Sequence, residues 1–291
     1  MAEGNLIELI KVLRERTGAG LMDCKGALLA NDCDLDKASD YLREKGLAKA
    51  AKKADRIAAE GLALTVTCPT CGATVILEVN CETDFVAKGD AFRALVTSVA
   101  ECILANRPES VEKAKELTSE LFTDATVKMG EKFDLRRFEV LEKGENTITT
   151  YIHMGGKIAV AVVTDKQDAE LCKGLAMHVA ANNPQYLSTD EIPADAVAHE
   201  KEIQLAAAKN DEKLANKPEA MLTKIIESKV NKYFSEMVLS AQPFLLDDSK
   251  TVGKACEEKG VKILRFVRYQ VGEGIEKRKD DFASEVMSQV K

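Results

Sequence analysis

The chain has 291 residues, of which 45% are hydrophobic and 31% are charged, a balance that predicts folded domains with buried cores and disfavours a disordered chain. At about 150 residues per domain, this length predicts about two domains. The 41 Lys and Arg against 48 Asp and Glu give a net charge of −7, which does not favour general binding to a phosphate backbone, so nucleic acid is not expected as the main partner. The longest apolar run, residues 158–163, is far too short to span a bilayer.

The first sixteen residues do not resemble a signal peptide. Glu3 and Glu8 interrupt their apolar residues, and no small-residue cleavage site follows. We therefore expect a cytoplasmic protein whose eight cysteines are reduced thiols.

Apolar spacing predicts three short helices within residues 4–45. The first ends at the glycine turn 17–20, and Gly46 is the predicted stop of the third. Residues 1–46 are therefore interpreted as a three-helix partner-binding domain. The Ala- and Lys-rich residues 47–60 that follow are interpreted as a helical linker with a solvated basic face.

From Gly61 the apolar period changes from 3.6 to 2, which predicts a β-hairpin, followed by a helix over 92–106. Residues 147–163 and 169–182 repeat this hairpin and helix. Aligning the two copies leaves about eight extra residues in the first, within 81–90. Since surface loops vary while cores keep the fold, this insertion is predicted to be the specialised part.

The remaining segments complete an α+β fold with a duplicated two-lobed core built on antiparallel hairpins. The predicted boundaries are 61–144 for lobe 1, 145–185 and 237–271 for lobe 2, 186–236 for an inserted antiparallel helical hairpin, and 272–291 for a C-terminal helix module. The hairpin follows from two charged helices with narrow apolar seams around a break at 216–218. A last short helix is predicted over 280–290.

Motifs for enzyme chemistry are scarce. Gly18-Ala19-Gly20 lacks the further residues of a dinucleotide or phosphate loop and is predicted to be a turn. The three histidines, His153, His178 and His199, form no metal-spaced cluster. No catalytic residue, metal or cofactor is predicted.

Cys68-Pro69-Thr70-Cys71 is the sharpest metal-like or redox-like motif. A structural zinc site needs a second pair, and only the lone Cys81 is near. A thioredoxin-type pair begins a helix, whereas this one lies in a hairpin turn. The favoured interpretation is a turn that carries two thiols, with zinc or redox function as the alternative.

Phe85 stands out in the insertion because its neighbours are polar. Thr83 or Asp84 can cap the helix that follows. A large aromatic side chain beside such a cap is either a packed staple or a probe for a partner's pocket, and the residues alone leave both interpretations open.

Six segments, in order along the chain, resemble bacterial translation elongation factor Ts: residues 17–25, 78–88, 177–181, 242–244, 250–253 and 271–277. The segment Thr83-Asp84-Phe85-Val86 with its flanks is specific for that family. Gly26 departs from it, since the family often has Lys there, and Cys68 and Cys71 lie in a turn that varies.

The resemblance implies a guanine-nucleotide exchange factor, without catalytic chemistry of its own, that binds elongation factor Tu in its GDP-bound and nucleotide-free states. It implies that Phe85, within the finger Thr83, Asp84, Phe85 and Val86, inserts near the phosphate and magnesium site of that GTPase. The implied partner contacts are Arg14, Leu21, Met22, Lys25, Met129, Gly130, His153, Leu245 and Leu246. A homodimer through 186–236, a bare interaction scaffold and a zinc or thiol enzyme stay open as alternatives.

Overall fold

A computed structural model describes residues 3–53, 55–210 and 218–276, which contain both helices and small sheets. The α+β class is thereby confirmed. Within these residues the chain divides into two compact units. The first comprises the described residues up to 142, 154–158 and 269–276, and the second comprises 143–153 and the described residues of 159–268. No described helix is long and apolar enough to cross a membrane.

Three helices open the first unit: α1 (Glu3–Thr17), α2 (Leu21–Ala30) and α3 (Leu35–Lys52). Their shared core contains Leu13, Cys24, Leu28 and Leu42, all buried. The prediction that α3 stops at Gly46 is wrong, because the helix continues for six more residues. Gly46 is needed for close packing instead, since a Cβ there would lie 2.4 Å from a methyl group of Val127. The predicted helical linker is accordingly helical only as far as Lys52.

The first sheet contains β1 (Glu60–Thr67), β2 (Thr74–Cys81) and β3 (Asp134–Leu141) in the antiparallel order β1-β2-β3. The central strand β2 is buried along its whole length. Between β2 and β3 come the short helix α4 (Asp84–Ala87) and the long helices α5 (Asp90–Asn106) and α6 (Val111–Met129). Phe92, Val96 and Ile103 of α5 pack with the apolar side chains of the sheet.

The second sheet has the order β4-β5-β8, from β4 (Thr147–His153), β5 (Ile158–Thr164) and β8 (Ile263–Gln270). After β5 comes α7 (Ala169–Asn182), as predicted. Eight residues, 82–89, separate β2 from α5, whereas four, 165–168, separate β5 from α7. The excess length of the first copy is therefore only partly in this connection, and α5 itself is three residues longer than α7.

The charged segment of the second unit forms α8 (Ala194–Lys209) and α9 (Glu219–Ser235). Ile226, Val230 and Phe234, in the middle and at the end of α9, pack against Ala196 and Val197 at the start of α8. This pairing of opposite ends is that of an antiparallel hairpin, although its connection, 211–217, lies outside the described residues.

A small hairpin, β6 (Pro243–Phe244) with β7 (Asp247–Thr251), and the helix α10 (Val252–Lys259) precede β8. The predicted helix over 280–290, and with it most of the predicted C-terminal module, lies outside the described residues.

Candidate functional site

The connection between β2 and α5, which we call the Phe85 turn (residues 82–89), folds into the single helical turn α4. Of the two predicted caps, Thr83 begins this turn, since its side chain accepts a hydrogen bond from the N–H of Val86 at 3.4 Å. Val86 is half-buried and Ala87 is buried, both in the core of the first unit. Phe85, which directly precedes Val86, is 85% exposed, which excludes the packed-staple interpretation.

Glu131, which the sequence interpretation missed, holds the start of the Phe85 turn. Its carboxylate accepts hydrogen bonds from the backbone N–H groups of Glu82 at 3.0 Å and Thr83 at 3.1 Å, and from the Thr83 hydroxyl at 2.5 Å. In return, the Glu82 carboxylate accepts a hydrogen bond from the N–H of Lys132 at 2.7 Å. These four bonds tie the Phe85 turn to the residues that follow α6.

Asp84 and Lys88 form an ion pair across the helical turn, with 2.6 Å between carboxylate oxygen and Nζ. The hydrogen bond between them lowers the pKa of Asp84 below its usual value and raises the pKa of Lys88. Both groups are therefore charged at neutral pH. Because the pair is exposed to solvent, it orients the Asp84 carboxylate beside Phe85 more than it stabilises the fold.

The contact residues predicted in the N-terminal helices are all exposed: Arg14, Leu21, Met22 and Lys25. Leu21 and Met22 begin α2, whose opposite side is buried through Cys24 and Leu28. The Met22 side chain is 71% exposed. Two adjacent apolar side chains at a helix start, facing solvent, form a small apolar patch of the kind that partners use.

Met129 and Gly130, also predicted contacts, directly precede the brace formed by Glu131. Met129 ends α6 and is half-buried, whereas Gly130 is exposed and caps the helix with φ +75°. The Gly130 carbonyl accepts a hydrogen bond from Lys53 Nζ. Chain continuity therefore places these two residues beside the group that holds the Phe85 turn.

In the second unit, His178 joins two of the segments that carried the resemblance. This side chain of α7 is fully buried. Its Nδ1 accepts a hydrogen bond from the N–H of Leu245 at 3.2 Å, so Nε2 carries the proton and donates to Gln242 Oε1 at 2.8 Å. The Phe244 ring lies 6.1 Å from the imidazole. His178 thus fixes the backbone that presents the predicted contacts Leu245 and Leu246.

Leu245 and Leu246 are both about half exposed. A Cβ at Gly174 would lie 2.6 Å from Leu246 Cδ1, so the small hairpin approaches α7 closely at this glycine. His153 ends β4, is half-buried, and has its Nδ1 3.2 Å from the hydroxyl of Tyr151. The next residue, Met154, is an exposed apolar side chain that the sequence interpretation missed.

Acidification should destabilise the protein through His178. Burial lowers the pKa of His178 from its ordinary value of 6.5. Below pH 6.5 the imidazole is protonated in the unfolded chain but stays neutral in the folded chain. The free energy of unfolding therefore falls by at most about 1.4 kcal/mol per pH unit, until the pH reaches the pKa of His178 in the folded protein. Thermal melting at about pH 7.5 and 5.5, compared between the original chain and His178→Gln, isolates this group. An equal pH dependence in both proteins would contradict the assignment.

All eight cysteines are free thiols. Within the parts of the chain that the structure describes, no group of three or more His, Cys, Asp or Glu side chains is arranged to hold a metal ion. Cys68 and Cys71 both lie in the turn between β1 and β2, where the Thr70 hydroxyl is 3.1 Å from the Cys68 sulfur and Arg107 Nη2 donates to the Cys71 sulfur at 3.6 Å.

The chain also matches the model of a known protein family. The family model described as "Elongation factor TS" matches residues 82–273, which is about two thirds of the chain. The match begins at the Phe85 turn and extends past His178 and its partners Gln242 and Leu245 to the residues after β8. It does not include the three N-terminal helices, so the contacts expected there rest on the local resemblance and on their exposure.

Proposed function

The chain belongs to the elongation factor Ts family, and from this premise we propose that it promotes GDP release by inserting Phe85 near the phosphate and magnesium site of elongation factor Tu. Members of this family act as guanine-nucleotide exchange factors for elongation factor Tu in translation elongation.

The exposure of Phe85 is the observation that carries the proposal. A phenylalanine that is 85% exposed leaves apolar surface in water that a partner's pocket would bury. The side chain stands on a turn held by the cap of Thr83 and the carboxylate of Glu131. Such preorganisation lowers the entropy lost on binding, because the turn is already in place.

Phe85 cannot supply the whole acceleration. Burying one phenylalanine contributes about 1.5–3 kcal/mol, and each tenfold acceleration requires about 1.4 kcal/mol. Phe85 thus accounts for one or two decades, and other contacts must add to it. Linkage then requires that bound nucleotide weaken the affinity of the factor by the same coupling free energy.

The other contacts in this proposal lie on both units. In the first unit they are Arg14, Leu21, Met22, Lys25, Met129 and Gly130, and in the second they are His153, Leu245 and Leu246. The exposed apolar members, above all Met22 and Leu246, would supply binding energy that holds both the GDP-bound and the nucleotide-free states of the GTPase. A homodimer through residues 186–236 is a second proposed association, supported by the exposed apolar side chains Ile203 and Met221.

Release of a fluorescent GDP analogue from purified elongation factor Tu, followed by stopped flow, tests the proposed function. Adding the full chain should accelerate release, with a rate that saturates as its concentration rises. If the chain bound elongation factor Tu without accelerating GDP release, it would be an interaction scaffold and not an exchange factor.

Replacing Glu131 with alanine should slow exchange severalfold while changing the melting temperature little. The substitution removes the acceptor for three hydrogen bonds from residues 82 and 83, so the Phe85 turn loses its preorganisation but the core side chains stay in place. The same stopped-flow assay measures the effect.

Glu116→Ala is the matched control for Glu131→Ala. Glu116 lies on α6 and, among the residues that the structure describes, pairs only with Lys113, one turn away on the exposed surface, so its loss should alter neither exchange nor melting. Equal exchange rates for both variants would remove Glu131 from the proposed mechanism.

A further inference from the structure

The turn between β1 and β2 carries two thiols, Cys68 and Cys71, away from the Phe85 turn. The strand register ends at the pair Thr67 and Thr74. The N–H of Cys68 donates to the Ala73 carbonyl at 2.8 Å, and the N–H of Gly72 donates back to the Cys68 carbonyl at 2.9 Å. These two bonds close a tight turn that contains both cysteines. The pair is accessible, since Cys68 is half-buried and Cys71 is exposed.

The surroundings of the pair favour a thiolate on Cys68. The Thr70 hydroxyl lies 3.1 Å from its sulfur, and this hydrogen bond, followed by those from Cys71, lowers the pKa of Cys68 to about 6. On the other side, Arg107 at the end of α5 donates from Nη2 to the Cys71 sulfur at 3.6 Å, while its Nε pairs with Glu142 at 3.3 Å. A cation beside the pair stabilises negative sulfur.

Buried cysteines elsewhere in the chain have the opposite character. Burial raises the pKa of Cys81 to about 12 and that of Cys256 to about 11. These thiols stay protonated and packed. The turn therefore combines accessibility, a neighbouring second thiol and a stabilised thiolate, the three properties of a cysteine that undergoes thiol–disulfide exchange.

Metal binding fits the same turn less well. Structural zinc sites need four ligands, and among the described residues no third His, Cys, Asp or Glu joins the two thiols in a group that could hold a metal. The guanidinium of Arg107 also faces Cys71, where it would oppose a divalent cation.

We propose that Cys68 and Cys71 form a dithiol–disulfide exchange site that reacts with small disulfides of the glutathione type. The Cys68 thiolate attacks one sulfur of glutathione disulfide, forms a mixed disulfide and releases one glutathione thiolate, which takes up a proton. The Cys71 thiol then gives up its proton and attacks the Cys68 sulfur, releasing the second glutathione. The protein dithiol is oxidised to one disulfide, and glutathione disulfide is reduced to two thiols.

This site is independent of the proposed exchange function. The turn lies at one end of the β1–β2 hairpin, whereas Cys81 at the other end leads into the Phe85 turn. Eight residues of strand separate them, or about 26 Å at about 3.3 Å per residue. Cys68→Ser/Cys71→Ser should therefore promote GDP release at the original rate, and a loss of exchange would place the pair within the exchange machinery.

The experiment uses the full chain, glutathione disulfide and mass spectrometry at about pH 6. At that pH roughly half of Cys68 is ionised, against roughly a thousandth of a thiol with the ordinary pKa of 9.0, while its lower basicity costs about 15- to 30-fold in nucleophilicity. Cys68 should thus react about twentyfold faster than the remaining thiols of the Cys68→Ser variant. The product should be a disulfide between Cys68 and Cys71, with no glutathione retained.

Two single variants separate the roles of the groups. Cys71→Ser should react at Cys68 and then retain one glutathione, because the resolving thiol is missing. Thr70→Val should shift the alkylation of Cys68 to higher pH, because the strongest hydrogen bond to the thiolate is lost. Reaction of Cys68 no faster than the other thiols, glutathione retained by the original chain, or zinc bound tightly to both thiols would each overturn the proposal.

Discussion

Replacing Phe85 with alanine is expected to slow GDP release from elongation factor Tu by roughly tenfold or more while leaving thermal melting unchanged. The ring is 85% exposed, so its removal deletes no core contact. In the complex the same ring would be buried, and losing about 1.5–3 kcal/mol of burial lowers the rate by one to two decades. Stopped-flow release at saturating factor measures the effect on the release step itself.

Leu117→Ala provides the control for Phe85→Ala. Leu117 is a partly exposed apolar side chain on α6 of the same unit, but it lies in none of the proposed contacts. Its truncation should leave the release rate within experimental error. If Phe85→Ala released GDP as fast as this control, or if it lowered the melting temperature by several degrees, Phe85 would not be the exchange probe.

The sequence around Phe85 singled out this side chain, but the hydrogen bonds that hold its turn could not be predicted. A large aromatic residue among Glu82, Asp84 and Lys88 has few apolar partners nearby, which is why the sequence indicated either a probe or a staple. The group that holds the turn, Glu131, lies 48 residues from Thr83. No local pattern encodes that contact, because it arises only when α6 returns the chain to the edge of the sheet.

Helices and strands could be predicted where apolar residues recur at a regular helical or strand spacing. The first three helices, both predicted hairpins and the helix after each of them are present in the structure. The sequence interpretation did not identify α6 or β3. In β3 the charged residues Arg136, Arg137 and Glu139 interrupt the alternation that would indicate a strand.

Gly46 shows that the end of a helix cannot be predicted from a glycine alone. A glycine late in a helical pattern commonly ends the helix, because it adopts the left-handed conformation without strain. In this chain it remains helical and lets α3 approach Val127 of α6. A glycine that ends a helix and a glycine that allows close helix packing look the same in the sequence. Only the residue packed against it, here Val127, distinguishes the two roles.

Replacing Glu78 with alanine is expected to lower the free energy of unfolding of the first unit by about 2–4 kcal/mol. Glu78 is fully buried in β2, where Arg136 Nη1 lies 3.1 Å and Arg137 Nε 2.6 Å from its carboxylate. The same carboxylate accepts hydrogen bonds from Asn80 Nδ2 at 3.1 Å and from the N–H of Gly272 at 2.8 Å. Removing one partner of a buried ion pair costs about 3–5 kcal/mol, reduced here because both arginines are partly exposed.

Glu78 therefore joins β2 to β3 and to the segment that follows β8. Arg137 continues this network through the carbonyl of Gln270 at 3.0 Å and the face of the Tyr269 ring at 4.3 Å. We expect the substitution to free residues 269–273 from the sheet as well as to lower stability. Faster amide hydrogen exchange in this segment, measured at a temperature where the protein is still folded, would detect that local release.

Glu142→Ala is the matched control for Glu78→Ala, because Glu142 pairs with Arg107 at 3.3 Å but on the surface, with 68% of its side chain exposed. Its loss should cost no more than about 1 kcal/mol. Urea denaturation followed by circular dichroism compares the two variants with the original chain. If Glu78→Ala unfolded at the same urea concentration as Glu142→Ala, the buried ion pairs of Glu78 would not stabilise the first unit. Water would then replace the carboxylate without lowering the free energy of unfolding.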